Sequence, residues 1–402
     1  MRAMKDSGIP WIGEIPEGWH TCQVKNIFTI ARGRVIPITE MDDSYHYPVY
    51  SSQTKDNGCM GYIPTFDYEG EALTWTTDGA NAGTVFYRVG KFNCTNICGV
   101  LQLKTRTSFI TYMLYSVGHS AFHCRRADTN GYKIMSNEMA EIKIAVPPLV
   151  EQQRIAEFLD RKCAEVDEMI ALQEQIIEEL KAYKQSVITE AVTKGLNPAA
   201  PMRDSGIEWI DSIPEHWEVC KLKRKYRLLN GRAYSDNELL FEGRYRILRV
   251  GNLFTSNHWY YSDLELEDNK YCEKGDLLYG WSASIGPYMW EEEKVIYHYH
   301  IWKVLFAPNS RRYVYYQLQA LTDAKKKDMH GTAMQHLTMD NMNNSYIATA
   351  PLSEQQTIAD YLDDKCADID SLIQTKQSKI DSLKEYKKSI IYEYVTGKRE
   401  VE

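Results

Sequence analysis

Two basic clusters carry residue types that contact nucleic acid. Arg125-Arg126 is followed by Thr129, Asn130 and Lys133, and Lys325-Lys326-Lys327 by His330, Thr332 and Gln335. Lys and Arg anchor phosphates, whereas Arg, Asn and Gln can read base edges in the major groove. A three-lysine run alone is most often a solvated helix end, so either cluster by itself is a weak signal. Their placement sharpens it, because each precedes a point where the chain leaves a domain. Loop residues extend the set to Gln53, Lys55, Asn57, Thr77 and Asn81 in the first half, and to Arg249, Asn252, Trp281 and Ser282 in the second. Arg34 and Arg232 each follow a glycine at matched places and are candidate phosphate anchors.

Catalytic patterns are not visible. His119 and His123 have the spacing of helical zinc ligands but lack the intervening glutamate of a metalloprotease, and they read as a surface or core pair. His298-Tyr299-His300 alternates as a strand would, with both imidazoles on one face; packing or polar contact with a ligand is expected there rather than metal. Glu-x-Lys triplets such as Glu179-Leu180-Lys181 read as helix-face charges. No phosphate loop, dinucleotide fingerprint or nucleophile elbow occurs. Val146-Pro147-Pro148-Leu149 is not the Asp/Asn-Pro-Pro-Tyr/Phe signature of an adenine-N6 methyltransferase. The nine cysteines include no Cys-x-x-Cys pair, and Cys94 with Cys98 has no companions for zinc, so reduced thiols and no metal are expected.

The candidates sit in a chain written twice. Asp6-Ser7-Gly8-Ile9-Pro10-Trp11-Ile12 returns as Asp204-Ser205-Gly206-Ile207-Glu208-Trp209-Ile210. Ile15-Pro16-Glu17 with Trp19 returns as Ile213-Pro214-Glu215 with Trp217, and Gly33-Arg34 as Gly231-Arg232. Pro148-Leu149 and Glu151-Gln152-Gln153 return as Pro351-Leu352 and Glu354-Gln355-Gln356, and roughly half the positions stay identical from there to Thr193 and Thr396. Between these blocks the halves diverge. Parts repeated within one chain should serve something symmetric, and variable parts something that differs between the halves.

The repeated blocks predict long helices. One seam runs Leu159, Cys163, Val166, Ile170, Gln173, Ile177, Leu180, Lys184, Val187, Ala191. The other runs Leu362, Cys366, Ile369, Ile373, Lys376, Ile380, Leu383, Lys387, Ile390, Tyr394. Steps of four and three are the heptad rule, and polar residues interrupt both seams at the same places, which favours one register. About 40 residues at 1.5 Å each give rods of roughly 60 Å. Ser353 is the expected N-cap of the second, and Gly195 with Asn197-Pro198 ends the first.

The variable blocks hold short β-type runs such as Gly99–Leu103 and Ile301–Phe306, and Tyr-rich helical stretches near Phe109–His123 and Arg312–Met329. The expected fold is α+β: two mixed α/β domains in a pseudo-twofold arrangement, separated by two long antiparallel coiled-coil helices. The boundaries are 1–147 for the first domain, 148–200 for the first helix and linker, 201–350 for the second domain and 351–402 for the second helix. With 44% hydrophobic and 25% charged residues the chain is ordinary globular material. Having no apolar run near ~20 residues and no apolar leader, it is expected to be a cytoplasmic protein without a membrane span.

Together, the Asp-Ser-Gly-Ile-x-Trp-Ile…Ile-Pro-x-x-Trp openings and the Pro-Leu-x-Glu-Gln-Gln-x-Ile-Ala helix starts resemble the specificity (S) subunits of type I restriction–modification systems, over essentially the whole chain. The Gly-Asp-Leu-Leu stretch from 275 and Thr-Asp-Gly-Ala-Asn-Ala-Gly to 83 are similar to recurring target-recognition segments. The resemblance implies a non-catalytic chain with two target recognition domains, each gripping one half of an asymmetric split DNA sequence, with the helices as a ruler between them. Partners would be double-stranded DNA, methyltransferase (M) subunits, two in number, at the domain–helix junctions, and restriction (R) subunits. S-adenosylmethionine, ATP and Mg2+ would belong to those partners, none to this chain. Specificity subunits of type IIB systems share the layout; a stand-alone DNA-binding regulator and a protein-binding adaptor are the readings from other classes.

The formal charge of −8 first argues against a DNA reader. Its distribution removes the objection. Residues 1–147 are neutral, 148–200 carry −4, 201–350 carry −1 and 351–402 carry −3. The excess acid lies on the helices, which can face protein partners, while the near-neutral domains would draw positive surface from those partners.

Overall fold

The computed structural model describes residues 2–105, 107–129, 131–307, 310–328 and 337–401. The chain forms two compact units, Met1–Glu174 with Ser378–Glu402, and Gln175–Gln377. Both boundaries cut through the long helices, Leu149–Lys194 and Leu352–Val395, so each unit owns half of each helix. The reason is packing. In the first unit Ile155, Ala156 and Leu159 of one helix and Ile390, Tyr394 and Val395 of the other enter the same core as Trp19, Trp75 and Tyr112. In the second, Val187, Ile188 and Ala191 join Leu362 and Cys366 against Trp217 and Tyr313.

Within each unit the helix halves run antiparallel. In the first, Phe158 meets Tyr394 at 4.3 Å between ring centroids, while Lys387 Nζ reaches Asp167 Oδ2 at 2.6 Å. In the second, Lys184 Nζ reaches Asp370 Oδ2 at 2.7 Å. The two lysines that interrupt the seams are therefore used in the same way, each bound to an aspartate across the pair. Partly exposed pairs of this kind contribute ~1 kcal/mol or less, so they select register more than they stabilise. Of the seam, Leu159, Cys163, Val166, Ile177, Leu362, Ile369, Ile380 and Leu383 are buried, and Ile170, Leu180 and Ile373 half-buried.

The short repeated motifs form the joint between domain and helix. Trp19 and Trp217, each 2% exposed, donate from Nε1 to Glu151 at 2.9 Å and to Glu354 at 3.0 Å. Gln152 and Gln355 donate back to the carbonyls of Pro147 (2.9 Å) and Ala350 (2.8 Å), holding the first turn of each long helix. Ser353 lies inside that first turn rather than at the N-cap; Pro351 supplies the carbonyl that receives the Glu354 and Gln355 amides.

The variable segments, so different in sequence, share one topology. The first unit has an antiparallel sheet ordered Phe28–Arg32, Cys98–Leu103, Ala72–Thr76, Val85–Arg88. The second has Arg227–Asn230, Ile301–Leu305, Leu277–Gly280, Gly286–Met289. A second sheet in each is mixed: Tyr47–Tyr50 runs parallel to Lys91–Cys94, and Tyr245–Leu248 parallel to Val295–Tyr297. Helices Ile110–Cys124 and Arg311–Asp328 follow, at the places expected for the Tyr-rich stretches. Tyr112 and Tyr313 anchor them through their hydroxyls, which donate to the carbonyls of Ala145 and Ala348. Among the described residues no helix is long and apolar enough to cross a membrane.

Candidate nucleic-acid interface

Four strands of each unit end at one place, and the backbone bonds that join their ends are the same in both. Gly33 N donates to Cys98 O (3.0 Å) and Gly231 N to Ile301 O (3.2 Å). Thr95 N donates to Tyr50 O and His298 N to Leu248 O, both at 2.9 Å. Thr77 N donates to Ile97 O (3.0 Å) and Trp281 N to His300 O (3.2 Å). Finally Ile134 N donates to Thr77 O (2.9 Å) and Leu337 N to Trp281 O (3.1 Å), bringing the segment after each Tyr-rich helix onto the same end. A duplicated frame thus presents matched loops, and these loops carry most of the sequence candidates.

What the frame carries differs. Where the first unit has Ser51, Thr77, Thr95, Asn96 and Ile97, the second has Arg249, Trp281, His298, Tyr299 and His300. The first face is mostly small hydroxyl residues, with an amide and an isoleucine, and the second is a cation and rings. The His298–His300 segment is a turn rather than the strand its alternation suggested, because Ile301 N closes onto His298 O at 2.9 Å.

The structure sorts the individual candidates. Arg34 and Arg232 lie on the shared end but face carboxylates, Asp67 at 2.9 Å and Glu238 at 2.7 Å, so a phosphate would have to displace an existing partner. Lys133 is likewise held by Asp78 (2.9 Å) and Asp128 (3.5 Å), and Arg126 by Glu138 (2.7 Å). Arg125 is different: its guanidinium lies 3.9 Å from the Phe122 ring centroid and 4.0 Å from that of Tyr132, with no carboxylate partner among the described residues. Gln53 donates to the Cys59 carbonyl and braces its loop, whose tip leaves Lys55 and Asn57 exposed. Asn57 takes φ +52°, a left-handed conformation that asparagine tolerates better than most residues. Asn81 is exposed and donates weakly to Ser52 O at 3.4 Å, whereas Thr77 is buried and donates to Asp78 at 2.6 Å.

In the second unit Asn252 is a brace: Oδ1 accepts from Arg249 N (3.1 Å) and Nδ2 donates to His258 O (2.8 Å). Trp281 donates from Nε1 to Tyr299 O at 2.8 Å and stacks on Trp302, and Ser282 is buried. Lys325 and Lys326 sit in the last turn of helix Arg311–Asp328, half-buried and exposed respectively. Asn130, His330 and Gln335 fall outside the described residues. His119 and His123 lie together at 4.8 Å, with His119 also against Tyr392, and no cluster of three potential metal ligands occurs among the described residues.

One half-buried histidine in each unit gives it a pH signature. Burial, with His123 adding to it, holds the His119 pKa down to about 4. Burial, then His300 and Arg249, does the same for His298, also to about 4. Both are neutral in the fold and titrate near 6.5 when unfolded. Their contribution is therefore complete above pH 6.5 and is lost as the pH falls towards 4. His298→Gln should flatten this slope: between pH 7 and pH 5 its urea midpoint should fall less than that of the unaltered chain. Parallel losses would show that His298 does not titrate in this window.

A family model for the type I restriction modification DNA specificity domain matches the chain twice, at residues 16–182 and 214–394. The specificity subunit of the type I restriction enzyme MjaVIII of Methanocaldococcus jannaschii is 25% identical over 416 residues, covering 96% of this chain and 93% of its own. The MpnII specificity subunit of Mycoplasma pneumoniae is 35% identical over 177 residues, covering 42% of this chain and 52% of its own. A solved chain from work on complex assembly and conformational transition of the type I R-M system shares the fold, with TM-score 0.70 at 14% identity over 96% of this chain and 99% of that one.

Proposed function

Because the chain belongs to the type I restriction–modification DNA specificity family, we propose that it addresses partner M and R subunits to an asymmetric bipartite DNA target. One observation carries this reading. The same loop frame is built twice and furnished with different residues, as two readers of unlike half-sites require. The chain supplies recognition and no chemistry; adenine methylation and DNA cleavage, with S-adenosylmethionine, ATP and Mg2+, belong to the partners.

The constant parts support a symmetric protein partner. Large side chains are exposed at matched places on the two long helices, Met169 with Leu372 and Tyr183 with Tyr386. Duplicated surfaces of this kind suit two copies of one M subunit. The acidic charge of the helix segments leaves the positive surface for DNA to be completed by that partner.

The decisive experiment is methylome sequencing of cells expressing this chain with its neighbouring M subunit. A split motif of two unlike half-sites with a fixed spacer is expected. Tight specific DNA binding by the isolated chain that M subunits leave unchanged would overturn the reading in favour of a stand-alone regulator. The same assay tests the first recognition face. Arg125→Ala should relax one position of one half-site, by ~1–3 kcal/mol of discrimination if it reads a guanine. Arg126→Ala, which breaks a carboxylate pair, should do less. An unchanged motif in both single variants and in the double variant would remove the pair from the interface.

A further inference from the structure

Within the second unit the cations divide into neutralised and un-neutralised ones. Arg232 faces Glu238, Arg244 faces Glu265, and Arg246 faces Glu292 and Glu293. Arg249 faces no carboxylate among the described residues. It is the first residue beyond strand Tyr245–Leu248, on the end where the loops converge. Its guanidinium lies 4.4 Å from the centroid of the Tyr260 ring, and Nη2 donates to His258 O at 3.2 Å. Nε is buried and makes no hydrogen bond. Asn252 ties both the Arg249 amide and the His258 carbonyl, so the loop that carries the arginine is closed on itself. Beside this group Phe241 stands 83% exposed, 6.4 Å from Tyr260 between ring centroids.

We propose that Arg249 is a specificity-determining residue of the second unit, reading a guanine in the major groove from the braced loop Arg249–Tyr260. The inference rests on the recognition function proposed above. A phosphate can be held by a point charge, as lysine holds it, whereas a base edge has to be met by donors of fixed direction. Arg249 is instead mounted at a strand end, with its plane set by a ring and its loop locked by Asn252. Nη1 and the second hydrogen of Nη2 remain to form the paired donors that match guanine O6 and N7. Fixing the plane of the fork gives direction to those donors, and direction is what distinguishes one base from another. The exposed Phe241 ring extends the same face with an apolar surface of the kind that meets a thymine methyl. At the matched position the first unit has Ser51, 6% exposed, so the two faces cannot share this reading.

The test compares Arg249→Ala and Arg249→Lys, each expressed with the M subunit and read by methylome sequencing. Both variants should accept other bases at one guanine of one half-site, with roughly 10- to 100-fold loss of discrimination there. The other half-site and the spacer should stay unchanged, which also shows that the variant chain is folded and assembled. An unaltered motif in both variants overturns the inference. So does a uniform loss of methylation in Arg249→Ala that Arg249→Lys restores, since that is the behaviour of a phosphate contact. If the unaltered chain itself directs no bipartite methylation, the recognition reading fails, an outcome separate from either.

Discussion

Gly231→Ala is expected to abolish recognition by the second unit while leaving the first intact. A Cβ at this position would stand 2.3 Å from the carbonyl oxygen of His298 and 2.4 Å from that of Tyr297. Both obstacles are backbone, held by the hydrogen bonds that join the two sheets at their shared end, so no side-chain rotation relieves the clash. Overpacking against fixed backbone costs ~1–3 kcal/mol or more. Here the displacement falls on the crossing that positions Arg232, Arg249 and His298 together. Gly33→Ala should do the same to the first unit, with Cys94 O and Thr95 O each 2.3 Å from the added carbon. Gly18→Ala is the control, because its Cβ would meet nothing within 4 Å and its φ is not left-handed. Denaturant unfolding with methylome sequencing checks all three. The control should remain within ~0.5 kcal/mol of the unaltered chain. Each crossing variant should lose one half-site, and not the same one. If Gly231→Ala unfolds and methylates as the unaltered chain does, the close crossing is not a structural requirement.

This crossing also explains what could be read from the residues and what could not. The Gly-Arg repeat at 33–34 and 231–232 was visible, but its two members do separate jobs. The glycine permits backbone approach, and the arginine is tied to a carboxylate, Asp67 lying 33 positions from Arg34 and Glu238 six from Arg232. A carboxylate 33 positions away leaves no local mark, so only the charge was legible. The long helices were readable because heptad spacing is a local property, repeated over many turns. Trp19 and Glu151 both belong to repeated motifs, yet their hydrogen bond joins segments far apart in the chain. The shared topology of the variable domains was hidden for a related reason. Its parallel pairing of Tyr47–Tyr50 with Lys91–Cys94 depends on backbone groups, which any side chains can accompany. His298-Tyr299-His300 shows the opposite error: an alternation that mimics a strand belongs to a turn, closed by a backbone bond that the side chains do not announce.

Inserting one heptad into both long helices, at Ile177 and Ile380, is expected to lengthen the spacer between half-sites without altering either half-site. The proposed ruler makes this quantitative. Seven helical residues add ~10 Å, and B-DNA rises ~3.4 Å per base pair, so the spacer should grow by about three base pairs. Seven is the useful number because it restores the seam. It keeps Leu159, Val166 and Ile369 facing the partner helix and leaves the Lys184–Asp370 and Lys387–Asp167 pairs in register. Both helices must be extended, since in each unit they run antiparallel and an insertion in one would slip every later seam residue against its neighbour. A two-residue insertion in both helices turns the seam by about 200° at 3.6 residues per turn, and should therefore destroy the complex rather than retune it. Three base pairs also rotate the duplex by about 100°, so the increment actually preferred in the methylome reports how the helix pair absorbs that turn. An active complex that keeps its original spacer after the heptad insertion would show that something other than these helices sets the distance. The M subunits, which would bridge the same span, would then be the place to look.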